Sequence, residues 1–400
     1  MSRILVDQVR SNSASSDALT LDGSGNITVP GNITLSGNAT LNGTATGFPK
    51  PKAHNIVING AMNIAQRGLT ASGSGANGFS TVDRFAMYQA GTDDYPETAQ
   101  ADIAAGTTPY TEGFRKSFKI TNGNQGSGGQ AGDQLYISHK IEAQDMATSG
   151  WNYTSSSSYI TLSFWVKSSV AQNFYAYLKT ADGTSQIYPF ETGTLTANTW
   201  TKITKTMPGA ANIQFDTDTE SNRVSMGVEF AIGLFFGTDY TGSLTLNQWG
   251  TWSSSNRAPD YGTSNDDWYE TNNATFELTG VQLEVGDSAS DFDHKSYAQD
   301  LQLCKRYYEQ FTPKLLLIGR YSNNYGYPYT QYFYMVEKRA APTGSHSGTF
   351  ISSTGYAGNP NFSDLAKDSV ALYASNQVDA GGNLYVHDGG SALIKYDAEM

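Results

Sequence analysis

The sequence predicts a mainly β protein: a short intertwined shaft of hexapeptide repeats, then a jelly-roll β-sandwich, one helix and a smaller C-terminal β domain. Three observations predict it. Charged residues make up only 16% of the 400, while Gly, Ser, Thr and Asn are abundant, which suits strands and tight turns better than long charged helices. Short segments of alternating apolar and polar residues, separated by polar turns, recur from His54 to Ala289. A strict period of six runs from Gly25 to Asn42.

The first element is residues 1–24, read as a docking segment on a polar tether. Its apolar set Ile4, Leu5, Val6 and Val9 runs into Ser11-Asn12-Ser13-Ala14-Ser15-Ser16. A frayed terminus is the plain alternative. No secretory signal is visible in these residues. The second element, 25–53, holds the repeats Gly25-Asn26-Ile27-Thr28-Val29-Pro30, Gly31-Asn32-Ile33-Thr34-Leu35-Ser36 and Gly37-Asn38-Ala39-Thr40-Leu41-Asn42. In the first two units the apolar pair, Ile27 with Val29 and Ile33 with Leu35, lies two residues apart and so on one face of an extended strand. Leu41 stands at the matching place in the third. One such strand has almost no volume behind it and cannot repay its ordering entropy. Three copies wound about a common axis would bury Ile27, Val29, Ile33, Leu35 and Leu41 together, whereas a flexible linker is the rival reading. Pro49 and Pro51 stiffen the boundary that follows.

Residues 54–294 read as the sandwich. Tyr159 to Val166 is one strand, with Asn173 to Leu178 as its expected hairpin partner. Trp200 to Met207 alternates, with Trp200 and Ile203 on opposite faces. Val228 to Phe236 is a more deeply buried run, and Thr275 to Val285 closes the set. A helix is expected over 295–312, because Tyr297, Leu301, Cys304 and Tyr308 form one stripe, Asp293 offers an N-cap and Pro313 a stop. That stripe would pack either on a three-fold axis or on a sheet. Residues 313–400 read as a smaller β tip domain.

Charge and motif content exclude several function classes. A net charge of −12 argues against an electrostatic grip on nucleic acid, and no apolar run approaches the ~18 residues of a membrane span. With one cysteine and five dispersed histidines there is no support for a disulfide framework, a transition-metal site or a cofactor. Asp216, Asp218, Glu220, Asp266 and Asp267 are oxygen ligands of a type Ca²⁺ accepts, but solvated loop carboxylates are the simpler reading. Glycan hydrolysis needs two carboxylates at a set separation, one with a raised pKa. Glu284, Asp291 and Asp293 have the right chemistry, but nothing distinguishes them in a chain with 37 acids, and Glu277, Gln282 and Glu284 are expected to face solvent or a strand partner. No catalytic residue is assigned.

Aromatic side chains among amides and hydroxyls are the stronger lead, since sugar rings stack their C–H faces on Trp and Tyr. Trp249, Trp252, Tyr261, Trp268 and Tyr269 form one cluster, and Tyr325, Tyr327 and Tyr329 share a face of a second if that stretch is extended. The alternative is that these rings fill subunit contacts, where Tyr is enriched.

Residues 54–311 resemble a domain of bacteriophage tail fibre and receptor-binding proteins, especially those of marine phages and cyanophages. The likeness rests on Asn55-Ile56-Val57-Ile58-Asn59-Gly60-Ala61-Met62-Asn63-Ile64-Ala65-Gln66-Arg67-Gly68, on Thr81-Val82-Asp83-Arg84-Phe85, on Leu162 to Ser168 and Thr199 to Ile203, and on Gln282 to Gly286 with Leu303-Cys304-Lys305-Arg306-Tyr307-Tyr308-Glu309. The resemblance implies a homotrimeric fibre with a carbohydrate-binding-module-like jelly roll. Such a fibre is held in the virion by a baseplate or tail protein through its N-terminus and meets host polysaccharide or lipopolysaccharide without catalysis. The shaft here is shorter than in many relatives. Two other readings stand beside it: a structural baseplate, collar or head fibre without a receptor, and a polysaccharide depolymerase.

Overall fold

The computed structural model describes residues 54–260, 267–313, 317–320, 329–352, 359–373 and 383–400, and three short strands in the first fifty residues. The chain divides into two compact units, Met1–Lys50 and Pro51–Met400. In the first, Gln8–Val9 pairs antiparallel with Leu19–Leu21, which pairs antiparallel with Ile27–Thr28. The stretch expected as a tether therefore contains a strand. Val9 lies in the first strand, and Ile27 in the third is 60% exposed. Ile4, Leu5, Val6, Val29, Ile33, Leu35 and Leu41 lie outside the described residues.

The second unit is dominated by a β-sandwich of two six-stranded sheets, the fold class the sequence predicts. The first sheet runs Gly250–Thr251, Gln186–Thr194, Asn173–Thr180, Met226–Phe236, Gln134–Glu142 and Phe85–Ala90. The second runs Thr201–Pro208, Tyr159–Ser168, Thr275–Val285, Lys116–Thr121, Glu97–Asp102 and Thr70–Ala71. All neighbours within each are antiparallel. The period-2 pattern sends one parity of every strand inward, and rings from the two sheets meet there: Phe164 and Phe230 at 5.2 Å, Phe174 and Phe276 at 4.9 Å.

The expected hairpin between Tyr159–Ser168 and Asn173–Thr180 does not form. The first strand belongs to the second sheet, between Thr201–Pro208 and Thr275–Val285, and the second to the first sheet. Each has an apolar face, and the two faces oppose each other across the core instead of lying side by side. Buried Gln172 holds the crossover by accepting the Trp268 N–H at 2.7 Å. Glu277, Gln282 and Glu284, expected to face solvent or a strand partner, are buried, and Glu277 meets its strand partner Lys167. Glu277 bonds Lys167 and Ser117, each at 2.8 Å, and Glu284 accepts from the Ser290 hydroxyl at 2.6 Å.

The helix is Tyr297–Lys305, shorter than expected. Ser296, not Asp293, caps it, forming a capping box with Gln299, because the Asp293 carboxylate already accepts from Asn55 N and Lys295. Tyr308 begins the strand Tyr308–Phe311, which pairs with Leu393–Asp397, and Tyr297 is 63% exposed. The predicted four-residue stripe is thus reduced to Cys304, which is buried, and Leu301, which is half-buried. Beyond it, three three-stranded sheets surround a small core of Tyr334, Val370, Leu372, Ile394 and Tyr396.

Residues of three segments noted in the sequence, 55–68, 81–85 and 303–309, meet where this C-terminal part joins the sandwich. Arg67 reaches Asp397 at 3.1 Å and Glu399 at 3.4 Å, with its guanidinium 3.6 Å from the Tyr308 ring centroid. Arg84, fully buried, pairs with Glu399 and lies 3.4 Å from the Tyr307 ring centroid. Arg306 grips Glu142 through two bonds of 2.7 and 2.8 Å, and the Tyr307 hydroxyl donates to the same carboxylate at 2.6 Å.

Candidate functional site

The face of the first sheet turned away from the core carries the most developed aromatic and polar surface among the described residues. Antiparallel register sets its side chains in rows. One row is Tyr175, Gly233, Tyr136 and Tyr88; the next is Tyr177, Ala231, Ser138 and Ala86; the third is Lys179, Glu229 and Lys140. Rings fill the first row around Gly233, and the second sets small Ala231, Ser138 and Ala86 beside Tyr177. The register shift between Gly233 and Phe235 keeps Leu234 and Phe235 in the core and turns Phe236 outward onto this face.

The segment that follows folds back over the edge of the sheet. Thr241–Gly242 pairs in parallel with Ala258–Pro259, and Gly250–Thr251 adds to the sheet beside Gln186–Thr194. This brings Tyr240, Trp252 and Arg257 onto the ring rows. Trp252 meets Tyr177 at 5.3 Å, Tyr88 meets Tyr136 at 5.4 Å, and Tyr136 meets Phe236 at 5.9 Å. Tyr88, Tyr136, Tyr175, Tyr240 and Trp252 are half-buried, so part of each remains accessible, whereas Tyr177 and Phe236 are buried beneath.

Cations are interleaved with the rings. Lys179 lies 4.5 Å from the Trp252 centroid, Lys140 5.5 Å from Tyr88, and Arg257 5.0 Å from Tyr240. Glu229 is held by Ser138 at 2.7 Å and Lys179 at 3.6 Å. Burial pushes the Tyr88 hydroxyl up to about 12, with Tyr136 and Glu229 adding to it. Tyr136 is raised in the same way, by burial and then Glu229. Both therefore stay protonated at neutral pH and can donate hydrogen bonds. The outer side of the second sheet also has a cleft, of about 340 Å³, lined by Glu112, Lys202, Asp291, Phe292 and His294. Its polar groups are largely satisfied by protein: the Glu112 carboxylate accepts from Trp165 at 3.1 Å and pairs with Lys202 at 3.4 Å.

Of the residues singled out from sequence, Trp252 lies at the heart of the outer face. Trp249 sits at the sandwich edge, half-buried against Tyr188 at 5.3 Å and donating to Pro208 O at 2.6 Å. Trp268 and Tyr269 are corrected, because both are fully buried in the core and present no face to a sugar. Trp268 donates through its indole to Thr275 O at 3.0 Å, and Tyr269 stacks on Phe235 at 4.1 Å. Tyr261, Tyr325 and Tyr327 lie outside the described residues, and Tyr329 opens the strand Tyr329–Phe333 opposite Tyr373. Asp216 and Asp218, read as loop carboxylates in preference to Ca²⁺ ligands, accept from the Asn222 amide at 3.1 and 2.8 Å, and Glu220 pairs with Lys367 at 2.5 Å.

Sequence reasoning missed Tyr88, Tyr136, Tyr175, Tyr177, Tyr240 and Arg257. A usable signal was present on two strands: Tyr175 and Lys179 share a parity with Tyr177, as Tyr136 does with Ser138 and Lys140, while the opposite parity is apolar apart from Thr180 and His139. Such a pattern marks a face kept aromatic and polar although it lies away from the core.

No family model and no curated protein matches the chain. Among solved structures it is similar to the enzymatically active domain of tailspike protein 4 of bacteriophage CBA120, at 12% identity over 54% of this chain and 21% of that one, with a TM-score of 0.28. It is also similar to a CBM4 structure, at 11% identity over 57% and 99%, with a TM-score of 0.27. A third is the CBM22-1–GH10 portion of Clostridium thermocellum xylanase 10B complexed with xylohexaose, at 11% identity over 53% and 28%, with a TM-score of 0.24. At these identities and scores the likenesses carry no argument about what the outer face binds.

Proposed function

We propose that the chain is a non-catalytic glycan-binding attachment protein of a phage tail fibre, working as a homotrimer on the virion. The observation that carries the glycan-binding part is the outer face of the first sheet, where Tyr88, Tyr136, Tyr240 and Trp252 stand half-buried among amide, hydroxyl and charged groups. Half-buried rings give pyranose C–H faces a surface to stack on, and protonated Tyr hydroxyls supply directed bonds to sugar hydroxyls. Glu229 is buried and bonded to Ser138 and Lys179, and Glu191, opposite Tyr175 at the sheet edge, is exposed and accepts from Asn173 at 2.9 Å, an arrangement that suits binding better than general-acid catalysis. The fibre role is supported by the hexapeptide period and by the resemblance of residues 54–311. Single sugar contacts are weak, and three copies on a shared shaft would raise retention by avidity.

Retention on immobilised host-envelope polysaccharide tests the reading. The wild-type chain should be retained, and Trp252→Ala should lose about tenfold in retention with an unchanged circular dichroism spectrum, the order expected for one stacking ring. Equal retention of the two would remove the outer face as the site. Shortening of the polysaccharide during incubation would replace the adhesin with a depolymerase.

A further inference from the structure

The charges on the outer face say which sugars it would take, an inference that rests on the glycan-binding reading. Arg257 sits inside the ring cluster, with its guanidinium carbon 5.0 Å from the Tyr240 centroid, 5.5 Å from Tyr136, 5.6 Å from Trp252 and 5.9 Å from Phe236. Its hydrogen-bond acceptors are neutral: Gln134 Oε1 at 2.7 Å and Ser254 O at 2.9 Å. Among the described residues it has no carboxylate within ion-pair distance. Lys140 differs, lying opposite Glu229 in the register and donating at 2.8 Å to Met400 O, an oxygen of the last residue of the sequence. Lys179 balances Glu229 at 3.6 Å. The rows and the segment folded over them thus hold Lys140, Lys179 and Arg257, with Glu229 paired to Lys179, Glu191 opposite Tyr175 at the sheet edge, and Asp239 and Asp260 on the segment itself, none of them paired with Arg257.

This matters because the chain as a whole carries −12. In an acidic protein with acids to spare, a half-buried guanidinium ringed by aromatics and bonded only to neutral acceptors is a charge left for a partner outside the fold. Arg offers a planar donor fork that matches carboxylate and sulfate oxygens, and its weak hydration lets it work against rings. The overall negative field disfavours anions at long range, so selection for them must come from short-range contacts of this kind.

We infer that the glycan taken by this face is acidic, carrying a carboxylate or sulfate group that meets Arg257 while the neighbouring sugar ring stacks on Trp252 or Tyr136. The experiment uses the full chain and three immobilised polysaccharides: a polyuronate, a sulfated galactan and a neutral galactan, each at low and at high salt. Retention on one or both acidic polymers should exceed that on the neutral one by about tenfold at low salt, the scale of one charge-assisted bond, and the excess should vanish at high salt. Retention on only one acidic polymer would name the anionic group. Arg257→Gln should level acidic with neutral retention, and Arg257→Lys should keep part of the preference. Trp252→Ala should lower retention on every polymer that is bound.

Neutral retention equal to or above acidic would overturn the inference and leave glycan binding standing. A preference that is insensitive to salt would overturn it as well. Absence of retention on all three, with host-envelope polysaccharide still retained, would overturn the inference alone, and absence on that polysaccharide too would remove both. Should Arg257→Gln fail to fold, the salt dependence of the wild-type chain and Lys140→Gln, a half-buried position on the same face, decide the matter in the same terms.

Discussion

Gly233 shows how a single missing side chain shapes the candidate site. A Cβ there would come within 2.1 Å of the Phe236 ring, so only glycine lets that ring lie over the sheet. Gly233→Ala should lower stability by about 1–3 kcal/mol, the usual cost of overpacking, read from denaturant midpoints. Because Phe236 supports Tyr136 at 5.9 Å, glycan retention should fall as well. Asp83 gives a pH prediction. Burial raises its carboxyl from an ordinary 3.8 to about 6, against Arg67 and Gln66, which lower it. Between roughly pH 4 and 6 the folded state holds a proton that the unfolded chain has released, so this group's contribution to stability falls as pH rises through the window. Asp83→Asn cannot release that proton. Its stability relative to wild type should therefore improve by on the order of 2–3 kcal/mol from pH 4 to pH 7, and unfolding curves at the two pH values check it. Neither residue could be ranked from the sequence, where Gly233 is one glycine of 41 and Asp83 one acid of 37, because Gly233 is set apart by a register shift that turns Phe236 over the sheet and Asp83 by burial beside Arg67.

Among the elements, strand existence was legible wherever period 2 ran cleanly, as in Tyr159–Ser168, Thr201–Pro208 and Thr275–Val285. Pairing was not. Alternation says that a strand has an apolar face but not which apolar face it meets, and Tyr159–Ser168 and Asn173–Thr180 meet across the core. The helix teaches the same lesson at its ends. Its periodic stripe extended too far because the Tyr308–Phe311 stretch gains ladder hydrogen bonds from Leu393–Asp397, nearly ninety residues on. The start is set locally, by the Ser296–Gln299 capping box. Ser296→Ala should cost about 1 kcal/mol, measurable as a lower thermal midpoint.

For the whole molecule, the decisive feature is the buried charge network that binds the last residues to the sandwich. Glu399 is paired with Arg84 and lies 3.4 Å from Arg67, and its loss would leave a fully buried guanidinium without its carboxylate partner. Glu399→Ala should destabilise the Pro51–Met400 unit by about 3–5 kcal/mol, seen as a large fall in the midpoint of a single thermal transition. The hexapeptide period makes a separate prediction: sedimentation of the full chain in dilute buffer should give a trimer, and a compact monomer would remove the shared shaft. By itself, the sequence determined the β-rich class, the repeat and the presence of strands and one helix, because backbone period and turn chemistry act over a few residues. Only the tertiary structure decided that Trp268 and Tyr269 fill the core while Trp252, Tyr136 and Arg257 share an outer face. Burial of a ring depends on which sheet lies over it, and that contact joins residues far apart in the chain, such as Trp252 with Tyr177 and Arg257 with Tyr136.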